Sequence, residues 1–323
     1  MTADTLRIGT RGSELALWQA RWTREALLRQ HPSLNATIVI IKTTGDRVLD
    51  APLSKIGDKG LFTREIENAL LQNKIDLAVH SLKDLPTELP PGLLLGAITE
   101  RDDPRDVFIP HPANTVRSIM EQPSGAIIAT GSLRRSCQLR ALRSDFQVVD
   151  IRGNLVTRLR KLEESDWSGM ILARAGVVRL GWEAKIGEVI PATSILPAVG
   201  QGALGIEIRS GDQRVNAFVS PLTHDATEKA VLAERSLLRR LEGGCQVPIG
   251  TYARLVARRG SMKLLMDAMV GALDGSSVVR GQIEGDPAAA EDLGARLAEQ
   301  LLHDGAGEIL RSIRGAGGNV RIA

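Results

Sequence analysis

The chain has 323 residues, 43% hydrophobic and 24% charged, a globular balance that excludes a disordered or fibrous protein. Its 41 Lys and Arg nearly cancel its 38 Asp and Glu; the +3 net charge argues against a duplex-binding surface, and 3% aromatic residues argue against stacking bases on rings. No apolar run approaches the roughly 20 residues of a membrane span, and no basic-then-apolar leader opens the chain. The cysteines Cys137 and Cys245 lie far apart and match no zinc spacing, so a cytoplasmic protein with reduced thiols is expected.

The first two-thirds alternate short β-branched strands with amphipathic helices, the pattern of α/β layering. A strand is predicted at Leu6–Gly9, then a helix from Ser13, a natural N-cap, to Arg29. Thr37–Lys42 reads as a strand, Phe62–Gln72 as a helix, and Asp76–Val79 as a strand leading into the loop HSLKDLP. Leu93–Ile98 is a further strand. The pattern restarts with strand Ala126–Ala129, helix Leu133–Arg143, strand Gln147–Ile151, a helix opening near Asn154 and strand Met170–Leu172.

Glu100–Asp106 and Pro197–Gly202, charged or rich in Pro and Gly, read as crossings between two domains. A helix at Thr227–Leu241 stops at Gly243-Gly244. Strands Thr251–Val256, Met262–Gly271 and Val278–Ile283 follow, with a hairpin turn at Asp274-Gly275, and a helix from Ala288 to His303 closes against Gly305. The expected organisation is α/β domain 1 (1–102 and 200–220), α/β domain 2 (103–199) and a smaller α+β domain 3 (221–323).

Ligands of open α/β sheets bind beyond the C-terminal ends of the strands. The residues there are basic: Arg11, Lys83, Arg134, Arg135, Arg152, Arg158, Arg174 and Arg179. Arg134 and Arg135 fall in the first turn of a helix capped by Ser132, where a cation opposes the macrodipole at about 0.3–1 kcal/mol each. One such arginine is more often part of a solvated face; five such loops on one cleft favour a polyanionic ligand held by guanidinium forks. No Walker A or GxGxxG motif follows a strand, the five histidines are too dispersed for a metal cluster, and no metal is expected. His80, at a strand end, reads as structural.

Asp84 is an acid among these bases, suited to stabilising a cationic intermediate and moving protons on nitrogen, or else to a turn or salt bridge. Cys245, in LEGGCQVPIG, sits in a loop between helix and strand, where a tethered nucleophile competes with an inert thiol. Cys137 falls inside a helix and reads as packing.

RIGTRGSELALWQA, GDKGLF, HSLKDLP, RDDPRDVF, TGSLRRSCQL, RGNLVTRL, LPAVGQGALGIE and LEGGCQVPIG, in this order between Arg7 and Gly250, resemble the porphobilinogen deaminase (hydroxymethylbilane synthase) family. The resemblance is looser after Gly250. It implies two domains like type II periplasmic-binding proteins and a third carrying Cys245, which would hold a dipyrromethane cofactor through a thioether. It implies a transferase of tetrapyrrole and heme biosynthesis. Such an enzyme adds four porphobilinogens head to tail, losing ammonia through an azafulvenium cation, and releases hydroxymethylbilane. Asp84 would stabilise that cation. Arg11, Ser13, Ser81, Lys83, Thr130, Ser132, Arg134, Arg135, Arg152, Gly153, Arg158 and Arg179 would hold the carboxylates. Gln19, Lys55, Lys59 and Phe62 would belong to the substrate site and a mobile cover. Departures are Gly131 where many members have Ser, Asp58 where Gly is common, and Arg174, left outside the assignment. A monomer is expected, with no nucleic-acid or membrane partner. Two other readings compete: a polyanion-binding module without chemistry, which has no use for Cys245, and a nucleic-acid binder, disfavoured by the charge balance.

Overall fold

The computed structural model describes residues 5–47, 62–241, 247–258 and 260–317. Along the chain run β1 (Thr5–Thr10), α1 (Glu14–Gln30), β2 (Asn35–Ile40), α2 (Thr44–Arg47), α3 (Arg64–Leu71), β3 (Leu77–Ser81) and β4 (Leu93–Ile98). Then come β5 (Asp106–Pro110), β6 (Ile127–Ala129), α4 (Leu133–Leu142), β7 (Gln147–Val149), α5 (Leu155–Glu163), β8 (Gly169–Ala173), α6 (Arg174–Arg179) and β9 (Glu188–Val189). The remainder is β10 (Leu204–Arg209), α7 (Gln213–Val219), α8 (Asp225–Arg240), β11 (Ile249–Arg258), β12 (Ser261–Gly271), β13 (Val278–Gly285), α9 (Ala290–Leu301) and α10 (Gly307–Gly317). These fall into two compact units, one of Met1–Asp102, Arg179–Gly181 and Gly200–Glu228, the other of Asp103–Val178, Trp182–Val199 and Lys229–Ala323.

The first unit is built on a five-stranded sheet in the order β2-β1-β3-β10-β4. β1 runs parallel to β2 and β3, whereas β10 is antiparallel to both β3 and β4. Helices cover both faces, so the central strands are apolar without alternation. Leu77 and Val79 of β3 pack with Leu27 of α1 on one side, and Ala78 packs with Ile66 and Leu70 of α3 on the other.

In the second unit the same order recurs as β7-β6-β8-β5-β9, with β5 antiparallel to β8 and β9. Phe108, Ile128 and Ile171 pack with Leu139 of α4 on one face; Ile109, Ala129 and Met170 pack with Leu162 of α5 on the other. This repeated order, with an antiparallel strand inserted fourth in each sheet, is the arrangement of type II periplasmic-binding proteins. A three-stranded antiparallel sheet, β11-β12-β13, completes this unit, its inner face packed on α8 and α9 through Leu264, Met266, Leu237 and Leu297.

Several elements differ from the sequence reading, among them the short α2, α6, α7 and β9, which it does not contain. The two crossings lead directly into β5 and β10, which the reading left unassigned: DVFIP and LGIEIR are buried almost throughout and carry no period. β3 extends to Ser81, and a one-turn 3-10 helix, Leu82–Asp84, stands where a loop is expected. The last helix does not stop at Gly305; that residue kinks it at φ 110° and α10 continues to Gly317. The expected turn at Asp274-Gly275 is present, with Asp274 Oδ1 accepting from the Ser276 N–H at 3.0 Å.

Gly294 places α9 directly against α8: a Cβ there would collide with the Ala233 carbonyl and lie 3.0 Å from the Leu237 nitrogen. Gly294→Val should therefore force the helices apart and lower stability by about 1–3 kcal/mol, read from denaturant unfolding.

Candidate functional site

In the first unit the parallel neighbours β1 and β3 bring their C-terminal ends together, and with them the segments Arg11–Ser13 and Ser81–Asp84. Ser13 caps α1, its side chain accepting from the Ala16 N–H. Gln19, on the same helix and buried, donates through Nε2 to Ser81 Oγ at 2.7 Å. The Arg11 guanidinium lies 4.2 Å from the centre of the Phe62 ring, which precedes α3. Asp84 ends the 3-10 turn. Arg11, Ser13, Gln19, Phe62, Ser81 and Asp84 line one pocket, together with Thr63, His80 and apolar residues of α1 and β3. Six side chains selected from the sequence thus meet, offering a cation, an acid, hydroxyls and an aromatic face.

Lys83 and Arg179 belong to another cluster of this unit. Lys83 Nζ donates to Gln201 Oε1 at 3.4 Å. Arg179 donates from Nε to Asp102 Oδ2 at 3.0 Å and from Nη2 to the Gly202 carbonyl at 2.6 Å, with its guanidinium 5.5 Å from the Trp18 ring centre. Burial pushes the Arg179 pKa down, and Asp102 opposes that shift. Its fork therefore already holds protein acceptors, whereas the sequence reading gave it to ligand carboxylates.

The second unit carries a compact cationic group. Ser132 caps α4 and accepts from the Arg135 N–H. Arg134 and Arg135 follow in the first turn, each only 5% exposed. Asp106, the first residue of β5 and fully buried, takes one arginine on each oxygen: Arg134 Nη1 lies 2.8 Å from Oδ2, and Arg135 Nη2 lies 2.8 Å from Oδ1. Carbonyls complete the frame, Leu196 for Arg134 and Ile171 for Arg135. Burial alone would raise the Asp106 carboxyl, but the two guanidiniums outweigh it and hold it well below the carboxylate range.

On neighbouring loops Arg152 pairs with Asp150 at 2.9 Å, and Arg158 Nε donates to the Gly153 carbonyl at 2.8 Å. Thr130 Oγ1 accepts from the Ser132 N–H. Gly131 has a steric use here, since a Cβ would lie 2.5 Å from the Ile151 carbonyl. Arg174 approaches Asp103 at 3.6 Å.

Among the described residues, the buried Nε of Arg134, the buried Nε of Arg135 and Nη1 of Arg152 have no hydrogen-bond partner. Buried donors of this kind are costly unless an acceptor meets them. They fit a ligand bearing several carboxylates, and hence a dipyrromethane with its acetate and propionate side chains. Lys55, Asp58, Lys59 and Cys245 lie outside the described residues. Cys137 is buried against Gly271 in the second unit, its thiol pushed up to about 11 by burial, which makes it inert packing. Sequence reasoning missed the buried acids Asp106, Glu67 and Glu207; an acid as the first residue of an apolar strand was the available signal for Asp106. No group of three or more potential metal ligands occurs among the described residues, and no described helix is long and apolar enough to cross a membrane.

Each unit is thus an α/β unit of the same strand order, the first carrying Asp84 in a pocket and the second carrying the buried guanidiniums of Arg134 and Arg135. The chain belongs to the porphobilinogen deaminase family: the model described as porphobilinogen deaminase, dipyromethane cofactor binding domain, matches residues 6–217, and that of the family's C-terminal domain matches residues 228–303. The porphobilinogen deaminase of Carboxydothermus hydrogenoformans is 51% identical over 307 residues, 95% of this chain and 96% of that one. That of Chlorobium phaeovibrioides is 52% identical over 313 residues, 96% and 98% of the two chains. Among solved structures, the methionine-binding protein MetQ is similar over 68% of this chain and 89% of its own, at 11% identity and a TM-score of 0.42.

Asp106→Asn would leave two buried guanidiniums without a countercharge and should cost about 3–5 kcal/mol at neutral pH. Because the folded carboxyl titrates below its ordinary value of 3.8, the wild type's advantage is full above that pH and shrinks as pH falls through and below it. Denaturant unfolding of both proteins between pH 7 and 3 checks the sign.

Proposed function

We propose that this chain condenses four porphobilinogens head to tail onto a dipyrromethane primer held by Cys245, releasing ammonia and then, by hydrolysis, hydroxymethylbilane. The observation that carries this reading is the pair of buried guanidiniums, Arg134 and Arg135, each with an N–H still lacking an acceptor among the described residues. Membership of the family supports it, as does the match of 228–303 to the family's C-terminal domain, for which a pure binding module has no use.

In this reading the primer supplies a free pyrrole α-carbon as nucleophile. Arg134, Arg135, Arg152 and Arg158, with Thr130, Ser132 and the Gly153 loop, bind carboxylates through charge-assisted hydrogen bonds. Arg11, Ser13, Ser81 and Gln19 orient the incoming porphobilinogen, with Phe62 beside its ring. Lys55 and Lys59 belong to the cover, and Lys83 and Arg179 engage carboxylates by exchanging their present partners. Asp84 accepts from the pyrrole N–H and stabilises the positive charge that appears on the substrate as ammonia leaves. Each condensation would balance without a redox partner: a C–C bond forms as the methylene C–N bond breaks, and the proton lost from the attacking α-carbon equals the one the departing ammonia carries away. The functional division is into 1–102 with 200–220, 103–199 and 221–323, and the protein acts as a cytoplasmic monomer.

Cys245→Ser should abolish turnover, and its intact mass should equal that of the bare polypeptide. Full activity without added mass would overturn the primer assignment. Asp84→Asn should keep the added mass while kcat falls by about 100- to 1,000-fold, since charge but not shape is lost; a single-turnover assay with porphobilinogen measures it.

A further inference from the structure

His80 lines the Asp84 pocket, yet the proposed reaction gives it no role. Side chains alternate along β3: Ser81 reaches α1, where it accepts from Gln19, so His80 projects to the other face, the one covered by α3. There the antiparallel register sets His80 opposite Gly205 and Ala78 opposite Glu207. Glu207 is thus the diagonal neighbour of His80 across the ladder, and its Oε2 lies 3.1 Å from Nε2. Both side chains are almost completely buried, at 0% exposure for Glu207 and 5% for His80.

A third titratable group, Glu67 of α3, joins them. Burial pushes the Glu67 carboxyl up; Thr63 and His80 oppose the shift, and Glu207 reinforces it. Among the described residues, Oε1 of Glu67 and Oε1 of Glu207 are buried without a hydrogen-bond partner. A buried acid–imidazole–acid group costs stability relative to apolar side chains of the same size. What the group does supply is one hydrogen bond, from His80 of β3 to Glu207 of β10, tying the two strands together at the end of β3. The strand end it fixes carries Ser81 next in the chain and then the single 3-10 turn that ends at Asp84.

We propose that His80 is a positioning residue: its hydrogen bond to Glu207 of β10, backed by Glu67 of α3, fixes the exit of β3 and so holds Asp84 at the reacting pyrrole. This rests on the reading that Asp84 acts on the substrate. Displacement of a reacting group by about 1 Å costs up to about 100-fold in rate, so a loss confined to kcat is the signature.

The test compares His80→Gln, whose amide reaches the Nε2 position, with His80→Asn, whose amide does not. Each is prepared as the cofactor-loaded enzyme, with loading read by intact mass. His80→Asn should lower kcat by about 10- to 100-fold with KM changed less than about 3-fold, and His80→Gln should recover most of that loss. Wild-type kcat in His80→Asn, equal losses in both variants, or a change in KM alone would each overturn the proposal. Should His80→Asn fail to fold, the double variant His80→Leu, Glu207→Leu removes the buried polar pair. Slow kcat with normal loading and KM supports the proposal there, and wild-type kcat overturns it. Asp84→Asn in the same assay separates the two claims: if that variant turns over normally, the role of Asp84 fails whatever His80 does.

Discussion

The cationic site of the second unit depends on one buried carboxylate. A helix N-terminus is already positive, and α4 adds Arg134 and Arg135 in its first turn, nearly excluded from water. Two guanidiniums in that position would repel the helix dipole and each other. Asp106 removes the conflict by placing one oxygen on each, and the Leu196 and Ile171 carbonyls accept further N–H groups. Held this way, the arginines are fixed in place, and each keeps a buried Nε donor without a partner among the described residues. Preorganisation of this kind lowers the entropy that binding must overcome.

The strand that brings Asp106 is also the one inserted antiparallel into the sheet, between β8 and β9. β5 enters antiparallel beside β8, directly after the crossing that follows β4. The first unit repeats the device, because β10 enters antiparallel beside β3 and carries the fully buried Glu207 to His80. Each inserted strand therefore does two things at once: it joins the parallel part of its sheet to the last strand and delivers a buried acid to a basic group near the strand ends. Arg179 is held by Asp102 and the Gly202 carbonyl, and Lys83 by the Gln201 amide oxygen. Sheet topology and the placement of charge are consequently one problem in this molecule.

Much of this was legible from residues read in order. Apolar spacing located α1, α3 and α5, and Ser13, Ser132 and Asn154 each cap a helix as their side chains allow. The ends of β1 and β3 pointed to Arg11 and Asp84, the family resemblance added Ser13 and Ser81, and these four do share a pocket. β5 and β10 escaped because a strand buried on both faces has no alternation to reveal it. The buried acids escaped because their partners are remote, 29 residues away for Asp106 and Arg135 and 127 for His80 and Glu207.

The sequence by itself determined what is local: helix caps, the periodicity of amphipathic helices, the turn at Asp274-Gly275, and the excess of guanidiniums at strand ends. It also carried the family's motifs, whose order along the chain is independent of any fold. Only the tertiary structure decided which of those guanidiniums are already engaged and which keep an unmet donor. That distinction rests on burial and on carboxylates supplied by the inserted strands, and electrostatic energy depends on distance in space and the surrounding dielectric rather than on distance along the chain.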